Sequence, residues 1–544
     1  MILIIREQSF SGVPTTIPAA VMESIDRRGS AEAVVVAEQR VSYRELGQMV
    51  IASARAMMAD GISAGDRLAV WAPNSLGWIV AALGAQFAGA ALVPINTRWK
   101  GAEAAHVLSA AQVSVLVTSV GFLETDTVGM LDADATPLPH LRRIVLLEGS
   151  AAVPARAGDV VPVAAWADFM AAGSSVAVDD AHGRHASVAP TDTSDILFTS
   201  GTTGRPKGVV MTHAQTVRQF QEWCDFAGLQ ADDRYLIVNP FFHMFGYKAG
   251  WLASLMRGAT IFPVAVFDVA NVLSLVHSER ITVLPGAPTI YRSILDDPDR
   301  DRYDLTSLRV AVTGAADIPV ALIEQMRAEL PFSSILTGYG LTEAGTVTGS
   351  RPDDDAATVA ETAGRAMAGL EVVVADSEGR EVERGTAGEL LVRGYSVMQG
   401  YLDDPAATEA AIDDDGFLHT GDLATMDDRG YVRIVGRLKD MFIVGGFNVY
   451  PAEVENMLLM HEAINQVAVI GVPDPRMGEV GMAWVVPAPG RVPEPEEIVA
   501  WSRERMANYK APRSVRVVDS LPINAAGKVV KEDLRVRALA ELSS

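Results

Sequence analysis

Cysteine is nearly absent from this chain of 544 residues, in which Cys224 is the only one. A single cysteine excludes an intrachain disulfide and favours a reducing compartment, for which we expect the cytoplasm. The neighbours Trp223 and Asp225 do not suggest an activated thiolate, so a catalytic thiol is not indicated. The first ten residues have charged side chains directly after a short apolar run, which does not fit a signal peptide.

Positive charge is also scarce, because 45 Lys and Arg stand against 68 Asp and Glu for a formal net charge of −23. This balance argues against nucleic acid or an anionic membrane as partner, since both select for basic surfaces. An anionic substrate must therefore meet local positive charge. The one long uncharged stretch, 75–97, contains Gln86, Pro94 and Asn96, so it predicts a buried helix and a strand rather than a membrane span.

Hydrophobic residues make up 49% of the chain and charged residues 21%, which is typical of a globular protein. The length exceeds what one core supports, so at least two domains are expected. Short β-branched runs alternate with Ala/Leu-rich helical stretches, which predicts an α/β fold of parallel sheets covered by helices. The predicted strands are 67–71, 91–95, 113–118, 234–238, 260–263, 282–284 and 308–313, with helices at 76–88 and 103–110.

Two regions depart from this alternation. The Ala-, Gly- and Asp-rich stretch 149–190 predicts a weakly structured connection, in which His182 and His185 fit solvated side chains better than a metal pair. From residue 371 strands with Gly turns predict a small β-rich module. A mixed α+β layout of about a hundred residues follows, and we place a domain boundary near Lys439.

A loop dense in Ser, Thr and Gly stands between two apolar runs in LFTSGTTGRPKGVVMTH, at 197–213. Hydroxyl groups, glycines that let backbone N–H groups approach an anion, and Lys207 together predict a phosphate clamp. The hydroxyls and glycines are those of Ser200, Thr202, Thr203, Gly201, Gly204 and Gly208. The Walker pattern fails at two positions, because Pro206, Lys207 and Gly208 stand where it needs Gly-Lys-Ser/Thr. An ordinary Gly-rich hairpin is the alternative.

Other motifs suit a nucleotide, although each is weak evidence alone. In 339–343, YGLTE, an aromatic ring could stack on a purine and Glu343 could bind Mg²⁺. Asp422 suits a ribose diol, or else caps a turn. Arg437 could supply a rigid fork to ribose or phosphate. Lys528 lies on a Gly-containing loop, where a surface lysine is the simpler interpretation.

In order and spacing these motifs resemble those of acyl-CoA synthetases in the adenylate-forming superfamily, from about residue 18 to 534. The matching segments are SGTTGRPKG, FHMFG at 242–246, GAA at 314–316, YGLTE, GDL, GRLKD, GGFNVYPAEVE at 445–455 and the lysine loop. The resemblance implies a large N-terminal AMP-binding domain, 1–438, and a small mobile α+β C-terminal domain, 439–544, hinged near Lys439. It also implies two steps. The acid attacks the α-phosphate of MgATP to give an acyl-adenylate and pyrophosphate, and the thiol of coenzyme A then displaces AMP.

The resemblance assigns a role to each residue of the expected site. The nucleotide would contact Thr199, Ser200, Gly201, Thr202, Thr203, Gly204, Lys207, Gly314, Ala315, Ala316, Tyr339, Gly340, Leu341, Thr342, Asp422 and Arg437. Glu343 would bind magnesium, and Lys528 would bridge the carboxylate and the α-phosphate during adenylation. Lys439, Gly445, Gly446 and Phe447 would serve the hinge and the CoA channel. The acyl pocket would include Phe242, His243, Tyr247, Lys248 and Gly338, with His243 orienting the carboxylate.

Coenzyme A carries several phosphate charges, so a basic face is expected on the mobile domain. Candidates are Arg503, Arg505, Lys510, Arg513 and Arg516, although a solvated helix face would also explain them. The segment NPFFHMFGYKAGW, 239–251, resembles bacterial ligases for bulky alicyclic acids, such as propanoate side chains on partly degraded steroid rings. Lys248 could recognise a distal ketone or carboxylate of such an acid, or its stem could only pack.

Several alternatives stay open at this point. A ligase for medium-chain or aryl acids would carry the same motifs, and so would a partial enzyme that performs one half-reaction. A module that loads a carrier protein is disfavoured, because no carrier domain follows Lys528. A non-enzymatic binding protein would show no turnover with any acid. The sequence does not decide whether the protein forms a homodimer.

Overall fold

The computed structural model describes residues 14–134, 136–149, 155–156, 159–199, 206–314, 318–444, 447–523 and 529–542, with the backbone alone for 155–156, 159–160 and 447–448. They form two compact units. Unit 1 contains the described residues up to Glu361, with Met367–Leu370 and Gly394–Ala410. Unit 2 contains Thr362–Ala366, Glu371–Arg393 and the described residues from Ala411 onward. Residues on both sides of Lys439 thus belong to unit 2, and the hinge at Lys439 stays a prediction.

The α-helices of the described residues follow the predicted alternation with strands. They are α1 (Ile17–Arg28), α2 (Tyr43–Ala59), α3 (Leu76–Phe87), α4 (Gly101–Ala110), α5 (Thr127–Asp132), α6 (Trp166–Ala172), α7 (Val178–Ala186), α8 (His213–Phe226), α9 (Met244–Gly246), α10 (Ala253–Arg257), α11 (Val269–Glu279), α12 (Pro288–Asp296), α13 (Val320–Glu329), α14 (Ala356–Glu361), α15 (Pro405–Ala411), α16 (Pro451–Leu458), α17 (Pro495–Arg505) and α18 (Lys531–Leu542). A π-helix, Tyr247–Leu252, joins α9 to α10.

The strands of the described residues are β1 (Glu32–Val36), β2 (Gln39–Ser42), β3 (Arg67–Trp71), β4 (Ala91–Pro94), β5 (Val115–Ser119), β6 (Arg143–Glu148), β7 (Ala155–Arg156), β8 (Asp159–Val160), β9 (Val163–Ala165), β10 (Thr193–Thr199), β11 (Lys207–Thr212), β12 (Arg234–Ile237), β13 (Thr260–Pro263), β14 (Val310–Gly314), β15 (Ser334–Leu341), β16 (Gly345–Gly349), β17 (Arg365–Ala366), β18 (Leu370–Ala375), β19 (Gly388–Gly394), β20 (Gly400–Tyr401), β21 (Leu418–Met426), β22 (Val432–Arg437), β23 (Phe442–Val444), β24 (Phe447–Val449), β25 (Ile464–Asp474), β26 (Gly478–Pro487) and β27 (Ser514–Val517).

An eight-stranded sheet forms one half of unit 1, in the order β20-β11-β10-β4-β3-β5-β6-β9. The pairs from β10 to β9 are parallel, whereas β11 is antiparallel to both β10 and β20. Strands β3, β4 and β5 are apolar and almost wholly buried, as expected for parallel strands covered by helices on both faces. The predicted α/β class is therefore confirmed.

Helix α3 is the buried helix predicted within 75–97, with every residue from Trp78 to Phe87 buried. It begins at Ser75, whose hydroxyl accepts the Trp78 backbone N–H at 3.1 Å. The helix packs so closely on α2 that a Cβ at Gly84 would lie 2.1 Å from Ser53 Oγ. Glycine is thus required at this helix crossing.

A second set of strands in unit 1 has the order β2-β1-β13-β12, and separately β14-β15-β16. Val283 forms parallel bridges to Tyr235 of β12 and to Val310 of β14, so it connects the two groups. Residues 282–284, which were predicted to form a strand, therefore contribute only isolated bridges at Val283. Parallel pairing of β14 and β15 places Gly314, the carboxyl end of β14, beside Gly338 of β15.

The stretch 149–190 is more regular than predicted, because β9, α6 and α7 all lie within it. Phe169 and Ala181 are buried in the core of unit 1, and this tertiary packing stabilises helices that composition alone does not indicate. His182 and His185 lie one turn apart on α7, with ring nitrogens 3.2 Å apart. Among the described residues no group of three or more His, Cys, Asp or Glu could hold a metal ion.

Unit 2 contains two sheets. The first has the order β18-β19-β21-β22, with antiparallel pairing at β19/β21 and β21/β22, and corresponds to the predicted β-rich module. The second has the order β24-β23-β26-β25, with β27 parallel to β26. Helices α16, α17 and α18 supply Val454, Ile498 and Leu534 to its core, which confirms the α+β layout. In the described part of the chain no helix is long and apolar enough to cross a membrane.

Candidate active site

Part of the predicted site lies outside the described residues. This applies to Ser200, Gly201, Thr202, Thr203 and Gly204 of the phosphate loop, to Ala315 and Ala316, to Gly445 and Gly446, and to Lys528. Phe447 belongs to β24, but its side chain is not described either. The roles assigned to these residues stay predictions.

The two strands that flank the phosphate loop are well defined. Strands β10 and β11 are antiparallel, and Thr199 lies opposite Lys207 in their register. The loop therefore joins the two strands of a hairpin, as the alternative interpretation of the sequence required. A hairpin does not exclude anion binding, because it brings Thr199 and Lys207 to the same end of the two strands.

Lys207 and Glu343 meet at one aromatic side chain that sequence reasoning missed. The Tyr401 hydroxyl donates a hydrogen bond to Glu343 Oε1 at 3.0 Å. Lys207 Nζ lies 4.9 Å from the centroid of the same ring. The predicted metal ligand thus contacts the hydroxyl of Tyr401, and the predicted phosphate cation contacts the face of its ring. No sequence signal connects Tyr401 to Glu343, since the two residues are 58 positions apart and belong to different strands and turns.

A short segment of backbone holds Tyr401 in place. Strand β20 pairs with β11, with Tyr401 opposite Val209. The Leu402 N–H donates to Gly208 O at 2.7 Å, and the Met398 N–H donates to Glu343 O at 2.8 Å. The segment 398–402 therefore bonds both to the strand that begins at Lys207 and to the backbone of Glu343.

The residues predicted to contact the nucleotide base lie on adjacent strand ends. Gly314 and Gly338 are register partners, and Tyr339 lies opposite Thr348 on β16. A Cβ at Gly340 would lie 2.3 Å from Gly345 O, and one at Gly338 would lie 2.9 Å from Thr348 O. Close backbone approach thus requires glycine on both sides of Tyr339. Leu341 ends β15, and Thr342 and Glu343 follow in the turn.

His243 is exposed, so it is not the packed core histidine that its aromatic neighbours would suggest. Its Nδ1 accepts the Phe245 N–H at 3.2 Å, at the start of α9, and Phe242 beside it is half-buried. The buried Asn74 holds this loop, because its side chain donates to Asn239 O at 2.9 Å and accepts the Phe241 N–H at 2.8 Å. Asn74 was not singled out from the sequence.

Lys248 is buried and ion-paired, which favours a structural role for it, and its place in the acyl pocket stays a prediction. Its side chain is 3% exposed, and Nζ lies 2.7 Å from Asp195 Oδ1 and 3.1 Å from Thr216 Oγ1. Burial lowers the pKa of Lys248, while the Asp195 carboxylate acts in the opposite direction. The ammonium is therefore already paired inside unit 1, and its stem is not merely packed.

Tyr247 is likewise a core residue, with no exposed surface. Its ring stacks on Trp251 at 4.9 Å between centroids, and its hydroxyl accepts a hydrogen bond from Gln86 Nε2 at 2.7 Å. Both Tyr247 and Lys248 lie in the π-helix, which turns their side chains into the core. Phe242 and Gly338 are half-buried and His243 is exposed, and the acyl-pocket roles of all five residues stay predictions.

In unit 2, Asp422 and Arg437 are brought together as predicted for a ribose-binding pair. They are register partners on β21 and β22, and Arg437 Nε lies 2.9 Å from Asp422 Oδ1. Asp422 lies within a strand, so it does not cap a turn. Lys439 follows directly in a 3₁₀ turn, where the next residue, Asp440, pairs with Arg535 at 3.2 Å.

The basic residues expected to contact coenzyme A have partners within unit 2. Arg505 bonds to Glu504 and Arg516 to Glu541 at 2.7 Å, while Arg513 bonds to the Asn508 amide. Lys510 bonds to Glu453, and Arg503 lies exposed on α17. Their charge is therefore largely compensated, and a basic face for CoA stays a prediction.

The thiol of Cys224 and the imidazole of His213 are also buried in unit 1. Burial raises the pKa of the Cys224 thiol to about 12, which agrees with the absence of an activated thiolate. Burial also lowers the pKa of His213 to about 4, and its Nδ1 accepts the Ile17 N–H at 3.3 Å. Neither group is suited to acid–base chemistry near neutral pH.

Comparison with known proteins gives the family. The model of the AMP-binding enzyme family matches residues 21–402, and that of the AMP-binding enzyme C-terminal domain matches 453–528. A 3-[(3aS,4S,7aS)-7a-methyl-1,5-dioxo-octahydro-1H-inden-4-yl]propanoyl:CoA ligase of Rhodococcus jostii is 51% identical over 96% of this chain and 98% of its own. The ligase of the same name from Mycobacterium tuberculosis is 49% identical over 96% and 98%.

Solved structures agree. ATP-bound MatB from Rhodopseudomonas palustris has a TM-score of 0.81 and 28% identity, over 96% of this chain and 99% of that one. The anthranilate CoA ligase AuaEII in complex with anthranoyl-AMP has a TM-score of 0.81 and 26% identity, over 98% and 99%. Together with the nucleotide motifs, these matches show that the chain belongs to the AMP-binding enzyme family and is an ATP-dependent acyl-CoA ligase.

Proposed function

We propose that this ligase converts a bulky alicyclic propanoic acid, derived from a partly degraded steroid ring system, into its CoA thioester. Support comes from the two relatives of about half identity, whose names specify a propanoyl group on a methyl-dioxo-octahydroindene. The segment 239–251, which supplies Phe242 and His243, independently resembles ligases for such acids. A second acid class is not favoured by any observation in the described residues.

The observation that carries the proposed site is the meeting of Lys207 and Glu343 at Tyr401. We assign Lys207, with Thr199 and the loop 200–204, to the β- and γ-phosphates of ATP. Glu343 fits a magnesium ligand, because a half-buried carboxylate beside the Thr342 hydroxyl offers the oxygen donors that Mg²⁺ prefers. When bound, magnesium would neutralise phosphate charge. Gly314 and the segment 338–341 would line the adenine, while Asp422 and Arg437 would hold the ribose.

The chemistry divides into two steps. In the first, the carboxylate of the acid attacks the α-phosphate of ATP, pyrophosphate leaves, and a mixed anhydride forms. Thr342 and Lys528 would hold the α-phosphate oxygens, and His243 would orient the attacking carboxylate. In the second, the thiol sulfur bonds to the acyl carbon and AMP leaves. Rotation near Lys439 would replace Lys528 by the segment with Gly445, Gly446 and Phe447, in which the two glycines would allow pantetheine to pass closely.

Cytoplasmic location remains a prediction from the single cysteine, and a homodimer remains open. Domain boundaries at 438 and 439 are likewise proposed on the family resemblance.

The test is mass spectrometry of reaction mixtures with MgATP, with and without CoA, over alicyclic, aryl and linear acids. We expect adenylate without CoA, thioester with CoA, and the highest kcat/KM for alicyclic propanoic acids. Lys528→Gln should abolish adenylate formation but still convert supplied acyl-adenylate to thioester, because it removes the charge needed only in the first step. A preference for linear or aryl acids would overturn the proposed substrate, and wild-type adenylation by Lys528→Gln would overturn the role of Lys528.

A further inference from the structure

We propose that Tyr401 is a positioning residue for MgATP, which orients the Glu343 carboxylate for the metal and holds the Lys207 ammonium for the phosphates. The inference rests on the proposed function, since it takes Glu343 as the metal ligand and Lys207 as a phosphate contact. Tyr401 itself need not touch ATP. It acts through the two charged groups that contact its hydroxyl and its ring face.

The hydrogen bond to Glu343 has a fixed direction. A phenol carries its proton near neutral pH and an ionised carboxylate can only accept, so Tyr401 donates to Glu343 Oε1. The terminal torsion of a glutamate is otherwise broad. A bond of 3.0 Å to one oxygen therefore restricts the direction in which Glu343 presents its other oxygen. Metal-binding carboxylates commonly depend on such an outer partner.

The ring face has a separate role toward Lys207. Its ammonium lies 4.9 Å from the ring centroid, within the range of a cation–π contact. Among the ion pairs of the described residues none joins Lys207 to Glu343, although both contact Tyr401. A direct pair would satisfy each charge with the other and compete with phosphate and metal. Tyr401 gives each group its own partner and so keeps both charges available.

The backbone of Tyr401 is anchored independently of its side chain. Its N–H donates to Thr408 Oγ1 at 2.9 Å, and β20 pairs with β11 on its other edge. Removing only the hydroxyl should therefore leave the strand in place. Tyr395 offers a matched control, because it lies in the same unit and its ring also contacts a cation, Arg218, at 3.9 Å.

The experiment measures ATP binding by calorimetry without acid, at a series of Mg²⁺ concentrations. For Tyr401→Phe we expect the Mg²⁺ concentration that gives half-maximal ATP affinity to rise about tenfold. Loss of a residue that hydrogen-bonds to a metal ligand typically weakens metal binding by this factor or more. The ATP affinity without Mg²⁺ should change little, because the ring remains for Lys207. Tyr401→Leu should weaken ATP binding even without Mg²⁺. Tyr395→Phe should match the wild type in both measurements.

A Mg²⁺ requirement of Tyr401→Phe within twofold of the wild type would overturn the proposal. Thermal unfolding of each variant shows whether Tyr401→Leu is folded, and Tyr401→Phe alone suffices if it is not. Failure of the proposed function would appear elsewhere, as a wild-type protein that does not bind MgATP or form thioester, and this outcome would overturn both. If the wild type makes thioester and Tyr401→Phe keeps the wild-type Mg²⁺ requirement, only the role of Tyr401 is overturned.

Discussion

Substitution of Lys248 by methionine distinguishes a structural ion pair from a group that recognises the acid. Methionine keeps the length of the stem and removes the charge. It leaves the Asp195 carboxylate in the core, where its remaining contacts are the Ser194 hydroxyl at 2.7 Å and the Thr216 hydroxyl at 3.4 Å. Breaking a buried pair in this way typically costs about 3–5 kcal/mol, because one charge stays buried without its partner.

The hydroxyls of Ser194 and Thr216 still hydrogen-bond to Asp195. We therefore expect the unfolding free energy to fall by about 3 kcal/mol, at the lower end of this range. The double variant Lys248→Met/Asp195→Asn is the matched control. It removes both charges but keeps an oxygen that accepts from Ser194, so more than half of the loss should be recovered.

Urea unfolding followed by tryptophan fluorescence measures this, because Trp251 lies in the same π-helix as Lys248 and is fully buried. With a slope of about 3 kcal/mol per molar urea, the midpoint should fall by about 1 M in Lys248→Met. The KM for the acid should stay within twofold of the wild type at temperatures where the variant is folded. An unchanged midpoint with a KM raised tenfold would refute the ion-pair reasoning and restore Lys248 to the acid site.

Three further predictions follow from particular contacts. The pKa of His213 is lowered from 6.5 to about 4 in the folded state, so unfolded chains take up its proton first as the pH falls. The stability that this group contributes is present above pH 6.5 and is lost toward pH 4, and the unfolding free energy should fall by about 2 kcal/mol between pH 7.5 and 5. In His213→Asn, the unfolding free energy measured in urea should lose this part of its pH dependence. An unchanged pH dependence in the variant would contradict the prediction. Gly84→Ala should destabilise unit 1 by about 1–3 kcal/mol in the same assay, because its Cβ would overlap Ser53. Gly65→Ala is the comparison variant, because its Cβ would meet open space and only the positive φ would strain the backbone. Asp422→Asn should weaken ATP binding about tenfold by calorimetry, since a charged hydrogen bond to ribose is lost, and unchanged affinity would exclude Asp422 from the ribose site.

Much of unit 1 was predictable because its signals are local. Strands 67–71 and 260–263 were predicted with the bounds that the structure has, since short β-branched runs end at turns. The helices α6 and α7 were missed within 149–190. The Ala-, Gly- and Asp-rich composition of this stretch gives little sign of the buried positions Phe169 and Ala181, whose contribution depends on the surface against which they pack.

The candidate site likewise combines residues that the sequence predicts with contacts that it does not predict. Glu343, Asp422 and Arg437 belong to motifs that a short window of sequence shows, and the structure pairs Asp422 with Arg437. The burial of the Lys248 ammonium was not predicted, because it depends on Asp195 of β10, which is far away along the chain. The contact of Tyr401 with both Lys207 and Glu343 was not predicted, because the three residues come from segments far apart along the chain.

Sequence by itself determined the α/β class and the class of reaction. The order of the nucleotide motifs and the alternation of strands and helices are both visible along the chain without knowledge of its folding. Only the tertiary structure decided which charges face one another. The folded chain brings Tyr401 into contact with both a lysine and a glutamate, and it places Lys248 against a buried carboxylate. Coulomb and hydrogen-bond energies depend on distances of a few ångström in space, and separation along the chain carries no information about them.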